Sequence, residues 1–238
     1  MTDQNVAIVT GAGSGIGRAT AFALARDGYA VVLVARTRSD LERTVMEVGE
    51  GVETLIVSAD LAKPQSAGQI VDAAVERFGR VDALVNNAGY AHNGTIDQNT
   101  PEICRLSLVV NLEAVMLLTA AVWPIFRRQQ SGVIVNISSM ASIDPFPGFS
   151  AYAAAKTGLN MFTHCTAKEG AECGIRAVCI APGAVETPML RANFTQDIVT
   201  RDMAMAPAEV AGLIADCVTG RRGFKPGEVI PISADGRA

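Results

Sequence analysis

The sequence predicts an α/β domain with a doubly wound parallel sheet of about seven strands and helices on both faces. Three observations predict it. Short apolar runs rich in β-branched residues alternate along the chain with amphipathic stretches of helical period. Those runs are continuously apolar rather than alternating, as strands covered on both faces require. A glycine-rich turn joins the first run to the first amphipathic stretch, a junction suited to nucleotide phosphates.

The elements follow in order. Strands are expected at residues 6–10, 30–35, 53–58, 83–86, 133–138, 176–181 and 228–232, and helices at 16–27, 40–48, 65–78, 101–128, 151–172 and 208–219. Several helix starts are marked in the sequence. Ser39-Asp40-Leu41-Glu42 reads as a capping box, and Thr100-Pro101 and Ala206-Pro207 put proline at a first helical position. Strand–helix alternation implies βαβ units and hence a Rossmann-like sheet. No repeat, low-complexity segment or linker divides the 238 residues, so 1–238 is read as one domain. Residues 186–206 break the rhythm, being long and weakly patterned, and are expected to form a lid over a binding site.

Composition narrows the function. Hydrophobic residues make up 49% and charged residues 18%, a globular balance. A net charge of −4 argues against nucleic-acid binding, which needs a basic patch against phosphates. Five cysteines form no CxxC pair and no cluster with metal-ligand spacing, so no metal is expected; they read as buried reduced thiols of a cytoplasmic protein. The polar start Met1-Thr2-Asp3-Gln4-Asn5 lacks a signal peptide's apolar region, and no apolar stretch is read as a membrane span. His92 and His164 belong to no catalytic pattern.

The turn after the first strand reads Thr10-Gly11-Ala12-Gly13-Ser14-Gly15-Ile16-Gly17. Glycine there permits a tight turn, close backbone approach to a pyrophosphate and close helix–strand packing, and the helix N-terminus offers free N–H groups to the anion. With its G-x-x-x-G-x-G spacing this turn resembles the cofactor turn of the short-chain dehydrogenases/reductases. The resemblance extends through Asp60-Leu61, Asn86-Asn87-Ala88-Gly89, the set Asn111, Ser139, Tyr152 and Lys156, and Pro182-Gly183 with Val185 and Thr187. It implies a dinucleotide held by Gly11, Ser14, Gly15, Ile16, Gly17, Asp60, Leu61, Asn87, Ala88, Gly89, Tyr152, Lys156, Pro182, Gly183, Val185 and Thr187. It also implies a homodimer or homotetramer formed through the long helices and the C-terminal segment. The ending Ser233-Ala234-Asp235-Gly236-Arg237-Ala238 departs from the family's usual Asp-Gly-Gly by placing Arg237 where a glycine is expected.

The end of the second strand distinguishes the cofactors. An acidic residue there binds both ribose hydroxyls of NAD, whereas this strand ends Val34-Ala35-Arg36. A guanidinium can fork onto a 2′-phosphate, so Arg36 points to NADP(H).

Tyr152 and Lys156 stand four residues apart in a helical stretch and so project from one face. The resemblance implies a catalytic set in which Tyr152 passes a proton to the substrate oxygen. A cationic Lys156 and the positive nicotinamide of oxidised cofactor would lower the phenol pKa. Lys156 would also hold the nicotinamide ribose, Ser139 would bind the substrate oxygen, and Asn111 would support a water relay. A substrate site is expected at Ser139, Met140, Phe146, Phe149, Tyr152 and Met189, within a mostly apolar surround that includes Phe194 and has no cluster of basic groups. The expected reaction is reduction of an apolar ketone or oxidation of the matching secondary alcohol. Two alternatives stand beside it: a β-ketoacyl-thioester reductase of lipid synthesis, and a non-catalytic NADP(H)-sensing regulatory protein. Arg127-Arg128 could dock an acyl carrier protein, but basic residues in a last helical turn also complement the helix dipole, which is the preferred reading.

Overall fold

The computed structural model describes residues 4–49, 51–234 and 236. Seven strands form one parallel sheet: β1 (Val6–Thr10), β2 (Ala30–Ala35), β3 (Thr54–Ser58), β4 (Ala83–Asn86), β5 (Gly132–Ile137), β6 (Ile175–Pro182) and β7 (Val229–Ile232). Their spatial order is β3-β2-β1-β4-β5-β6-β7. Eight α-helices accompany them among the described residues: α1 (Gly15–Arg26), α2 (Arg38–Val48), α3 (Ser66–Phe78), α4 (Pro101–Leu108), α5 (Ala114–Gln129), α6 (Ser150–Gly170), α7 (Pro188–Asn193) and α8 (Pro207–Thr219).

Side-chain alternation along the strands divides the core in two. Val9, Val31, Leu33 and Val135 point to a face packed with Leu24 of α1, Leu41 of α2 and Ile214 of α8. Ile8, Val32, Leu84 and Ile134 point to the other, against Ile70 of α3 and Leu118 and Phe126 of α5. With both faces covered, inward and outward positions are equally apolar, which explains the continuous runs. Strand order reverses between β1 and β4, so the crevice beyond their carboxyl ends is where such a sheet binds ligands.

Three local expectations are corrected. The proposed capping box is not used: α2 begins at Arg38 with Thr37 as its N-cap, and Glu42 pairs instead with Arg38 at 2.9 Å. The helix expected over 101–128 is interrupted by a π-helical turn, Val109–Glu113, between α4 and α5. That same run, Pro101–Gln129, contains an 18-residue window of mean hydropathy 1.9 and is long and apolar enough by length and composition to cross a membrane. Here it packs on the sheet, burying Leu118, Val122, Ile125 and Phe126. The proline-led starts hold: Thr100 Oγ1 accepts from the Ile103 N–H at 3.3 Å before α4, and Pro207 opens α8.

Residues 186–206 carry more structure than their pattern suggested. Their ends are tied by a parallel bridge between Val185 and Met205, with Glu186 N–H donating to Met205 O at 2.9 Å. Between them, α7 is followed by a loop and a short 3-10 turn, Arg201–Met203. Arg191 pairs with Glu186 and donates from Nη1 to Val199 O at 2.6 Å, so the segment is braced from within. Of the C-terminal ending, Asp235, Arg237 and Ala238 lie outside the described residues. The cysteines also differ from expectation: Cys179 and Cys217 are buried, Cys104 and Cys173 only partly, and Cys165 is exposed on α6.

Candidate active site

The turn between β1 and α1 is shaped by what no side chain could share. Gly11 and Gly15 have φ of 69° and 52°, in the left-handed region. A Cβ on Gly17 would lie 2.3 Å from Gly11 O and 2.5 Å from Asn87 Nδ2. Gly17→Ala is therefore expected to cost about 1–3 kcal/mol of stability through overpacking, read as a lower urea midpoint; an unchanged midpoint would contradict this packing.

Thr10 ties this turn to the end of β4. Its Oγ1 accepts from Asn87 N–H at 2.9 Å and Ala88 N–H at 3.0 Å and donates to Val85 O at 3.3 Å, while Asn87 Nδ2 donates to Thr10 O at 2.9 Å. Thr10 was not among the expected site residues. The available signal was a threonine closing a buried strand just before the glycines.

The turn forms one end of a cleft of about 760 Å³ at the carboxyl edge of the sheet. Gly11, Ser14, Gly15, Ile16, Arg36, Asp60, Leu61, Asn87, Ala88 and Gly89 line it, as do Pro182, Gly183, Val185 and Thr187. Gly17 lies beneath the surface and packs the turn. Arg36 stands exposed at the mouth just after β2, where Ser58 Oγ donates to its carbonyl oxygen at 2.8 Å.

At the other end Ser139, Met140, Phe146, Phe149, Tyr152, Lys156 and Met189 line the same cleft. Three elements deliver them. Ser139 follows β5 and caps a 3-10 turn, its Oγ accepting from Ala141 N–H at 3.2 Å. Tyr152 and Lys156 lie on the first turns of α6, and Met189 lies on α7. The Ser139 hydroxyl lies near enough to the Tyr152 phenol to influence its ionisation. Lys156 Nζ sits 5.6 Å from the Tyr152 ring centroid and donates to Ile137 O at 2.7 Å.

Burial dominates the electrostatics. It pushes the Tyr152 phenol above its ordinary pKa, and the neighbouring Ser139 hydroxyl opposes this only in part. In the chain alone, then, desolvation raises the phenol pKa rather than lowering it. Lys156 is 3% exposed, and desolvation pulls its ammonium down to about 8.

Asn111 does not line the cleft. Fully buried in the π turn, it donates from Nδ2 to Tyr90 O at 2.7 Å and Ser107 O at 2.9 Å and accepts from Tyr90 N–H at 3.2 Å. It anchors the loop carrying Gly89 and Tyr90. A π turn shifts the helical bonding register by one residue, which frees the Ser107 carbonyl for a side chain; such turns concentrate at functional sites.

Comparison with known proteins agrees with this architecture. The family model described as short chain dehydrogenase matches residues 5–198. A 3-oxoacyl-[acyl-carrier-protein] reductase of Synechocystis sp. is 37% identical over 215 residues, 88% of this chain and 87% of that protein. The crystal structure of a 3-ketoacyl-(acyl-carrier-protein) reductase from Brucella melitensis complexed with NADH superposes with a TM-score of 0.90 at 31% identity, covering 97% of each chain. That of an actinorhodin polyketide ketoreductase variant with NADPH does so with a TM-score of 0.90 at 30% identity, covering 97% of this chain and 96% of the other. A glycine turn against β4, Ser139 and Tyr152 in one cleft beside a buried lysine, and matches over nearly the whole length lead to one conclusion: the chain belongs to the short-chain dehydrogenase family.

Proposed function

We propose that this chain is an NADP(H)-dependent oxidoreductase that reduces an apolar ketone to a secondary alcohol, and runs the reverse oxidation, with Tyr152 handling the proton. The observation that carries this reading is the convergence of Ser139, Tyr152 and buried Lys156, its Nζ 5.6 Å from the Tyr152 ring, in the same cleft as the glycine turn.

The residues present fit a dinucleotide. Gly11 and Gly15 keep a surface free of side chains at the N-terminus of α1, whose first N–H groups suit a pyrophosphate. Asp60 and Leu61 would hold the adenine and Arg36 a 2′-phosphate. Asn87, Ala88, Gly89, Pro182, Gly183, Val185 and Thr187 would flank the nicotinamide half, and Lys156 the ribose. The bound cofactor supplies the hydride.

The chain's own groups supply the rest. Ser139 donates to the substrate oxygen and stabilises the charge that grows on it. Tyr152 gives that oxygen its proton; a phenol pKa raised by burial keeps the proton in place at neutral pH, which suits reduction. Lys156, charged below about pH 8, favours tyrosinate when the reaction runs towards oxidation. Oxidation needs tyrosinate, so its rate climbs with pH. Lys156→Ala removes the neighbouring cation and so lowers the tyrosinate fraction wherever that cation is present. The wild-type-to-variant rate ratio should be largest below about pH 8 and fall above it, where Lys156 itself has lost its proton, to the loss left by the missing ribose contact; a ratio that does not change with pH would refute the coupling. Asn111 Oδ1 and Lys156 Nζ lie 3.0 Å and 3.9 Å from where a Gly89 Cβ would stand. A water in that space would connect Lys156 to solvent, the relay role we assign to Asn111. Residues 186–206 act as the lid.

Leu108 is 48% and Met161 63% exposed on α4 and α6, apolar side chains that a second copy of the chain would cover, which supports a homodimer or homotetramer. Five free thiols support a reducing, cytoplasmic setting.

A panel of free ketones and acyl thioesters, run with NADPH and NADH in parallel, tests the reading. NADPH oxidation on free apolar ketones is expected. The relatives named acyl-carrier-protein reductases favour thioesters as the second reading, and preference for these would select it. Tight NADPH binding without turnover on any carbonyl would leave a sensor.

A further inference from the structure

The substrate end of the cleft carries four aromatic rings. Phe149, 4% exposed, stacks on Phe194 at a centroid separation of 5.4 Å and 23° and meets Phe146 at 5.0 Å. Its edge faces the Tyr152 ring at 6.2 Å and 74°. Phe146 and Phe194 close the triangle at 6.4 Å. Phe146 and Phe149 come from the segment between β5 and α6, whereas Phe194 caps α7 on the lid.

Backbone contacts hold these segments together. Gly94 N–H donates to Gly148 O at 2.9 Å, and Asn93 Nδ2 to Asn193 O at 3.3 Å. Gly148 has φ of 92°, and a Cβ there would lie 2.4 Å from Asn93 Oδ1. These contacts join the segments that carry the aromatic wall. Phe146 nonetheless leaves 42% of its surface in solvent, within a cleft rather than on an open face. Large apolar rings exposed in a concave site mark the place where a ligand's apolar surface lands.

The charges narrow the ligand further. Of the residues lining the cleft, only Arg36 and Lys156 are lysine or arginine. Arg36 stands at the far end beside the β2 terminus, and Lys156 is already bonded to Ile137 O. Among the described residues, no lysine or arginine other than Lys156 lines that end of the cleft to hold a carboxylate or phosphate.

We infer that the Phe146/Phe149/Phe194 wall selects neutral ketones whose carbonyl carries a planar aromatic ring, over linear ketones of equal size. The inference rests on the hydride-transfer reading for the fate of the carbonyl, but not for the choice of ligand. A carbonyl placed at Ser139 and Tyr152 has its substituents in the same cleft as the exposed ring of Phe146, which Phe149 and Phe194 back. An aromatic substituent gains edge or offset-stacked contacts there and has few torsions to freeze, whereas an alkyl chain gains area alone and loses rotamer freedom.

The experiment compares acetophenone with 2-octanone, which have equal carbon counts, in the wild type, Phe194→Leu and Phe194→Tyr. Turnover is followed as NADPH oxidation, and binding to the NADPH-loaded protein by calorimetry. The wild type should favour acetophenone by roughly tenfold, the upper range for aromatic contacts beyond area burial. Phe194→Leu should reduce that ratio towards unity and Phe194→Tyr should restore it; should Phe194→Leu fail to fold, Phe146→Leu removes the partner ring from the other segment. Equal preference in the wild type, or a ratio unmoved by the loss of a ring, overturns the inference while leaving hydride transfer intact. Preferential binding of acetophenone without NADPH oxidation upholds the inference and overturns the hydride-transfer reading.

Discussion

Replacing Tyr152 by Phe is expected to lower turnover by about 10²–10⁴-fold, the usual contribution of a positioned general acid, while NADPH still binds. The substitution removes one oxygen and leaves the ring between Phe149 and Lys156, so the edge contact and the local packing persist. What is lost is the proton donor beside Ser139 in the cleft. Steady-state rates at saturating NADPH, together with a fluorescence titration of NADPH, separate the two effects. Turnover within a factor of two of wild type would remove Tyr152 from the mechanism.

The second large effect concerns Arg36. Arg36→Asp replaces a cation at the end of β2 by the carboxylate that NAD-binding sheets of this kind place there. A charge-assisted hydrogen bond contributes about 1.5–3 kcal/mol, so NADPH affinity should fall by roughly 10- to 100-fold. Repulsion between the new carboxylate and the 2′-phosphate adds to this, and Asp40 and Asp60 already line that end of the cleft. NADH affinity should hold or improve, since a carboxylate can accept from both ribose hydroxyls. Comparing Kd for the two cofactors before and after the substitution measures the switch; an unchanged NADPH Kd would show that Arg36 does not meet the phosphate.

Much of this arrangement was legible in the sequence because strong local signals repeat the same message. Continuous apolar runs forecast a sheet covered on both faces, and all seven strands formed within two residues of their expected limits. The glycine turn was legible because steric exclusion at Gly11, Gly15 and Gly17 leaves glycine as the residue that fits. Other features depend on contacts between distant segments. The π turn holding Asn111 arises where its amide reaches Tyr90 and Ser107, and no period in the sequence announces it. The upward shift of the Tyr152 pKa depends on burial of the phenol, which only the assembled fold supplies. Ser39-Asp40-Leu41-Glu42 misled because its pattern is local, while the start of α2 is fixed by where β2 ends. The aromatic wall combines residues some forty-five positions apart, and its geometry exists only once α7 is laid across the cleft.

The most direct test of the account follows the hydride itself. The wild-type chain is incubated with acetophenone and NADPH deuterated at C4, with the 4R and 4S labels in separate reactions, and the alcohol is analysed by mass spectrometry. The account predicts deuterium on the carbinol carbon from one of the two labels, and loss of that product in Tyr152→Phe. Alcohol without deuterium from either label, or labelled alcohol formed equally well by Tyr152→Phe, would contradict it.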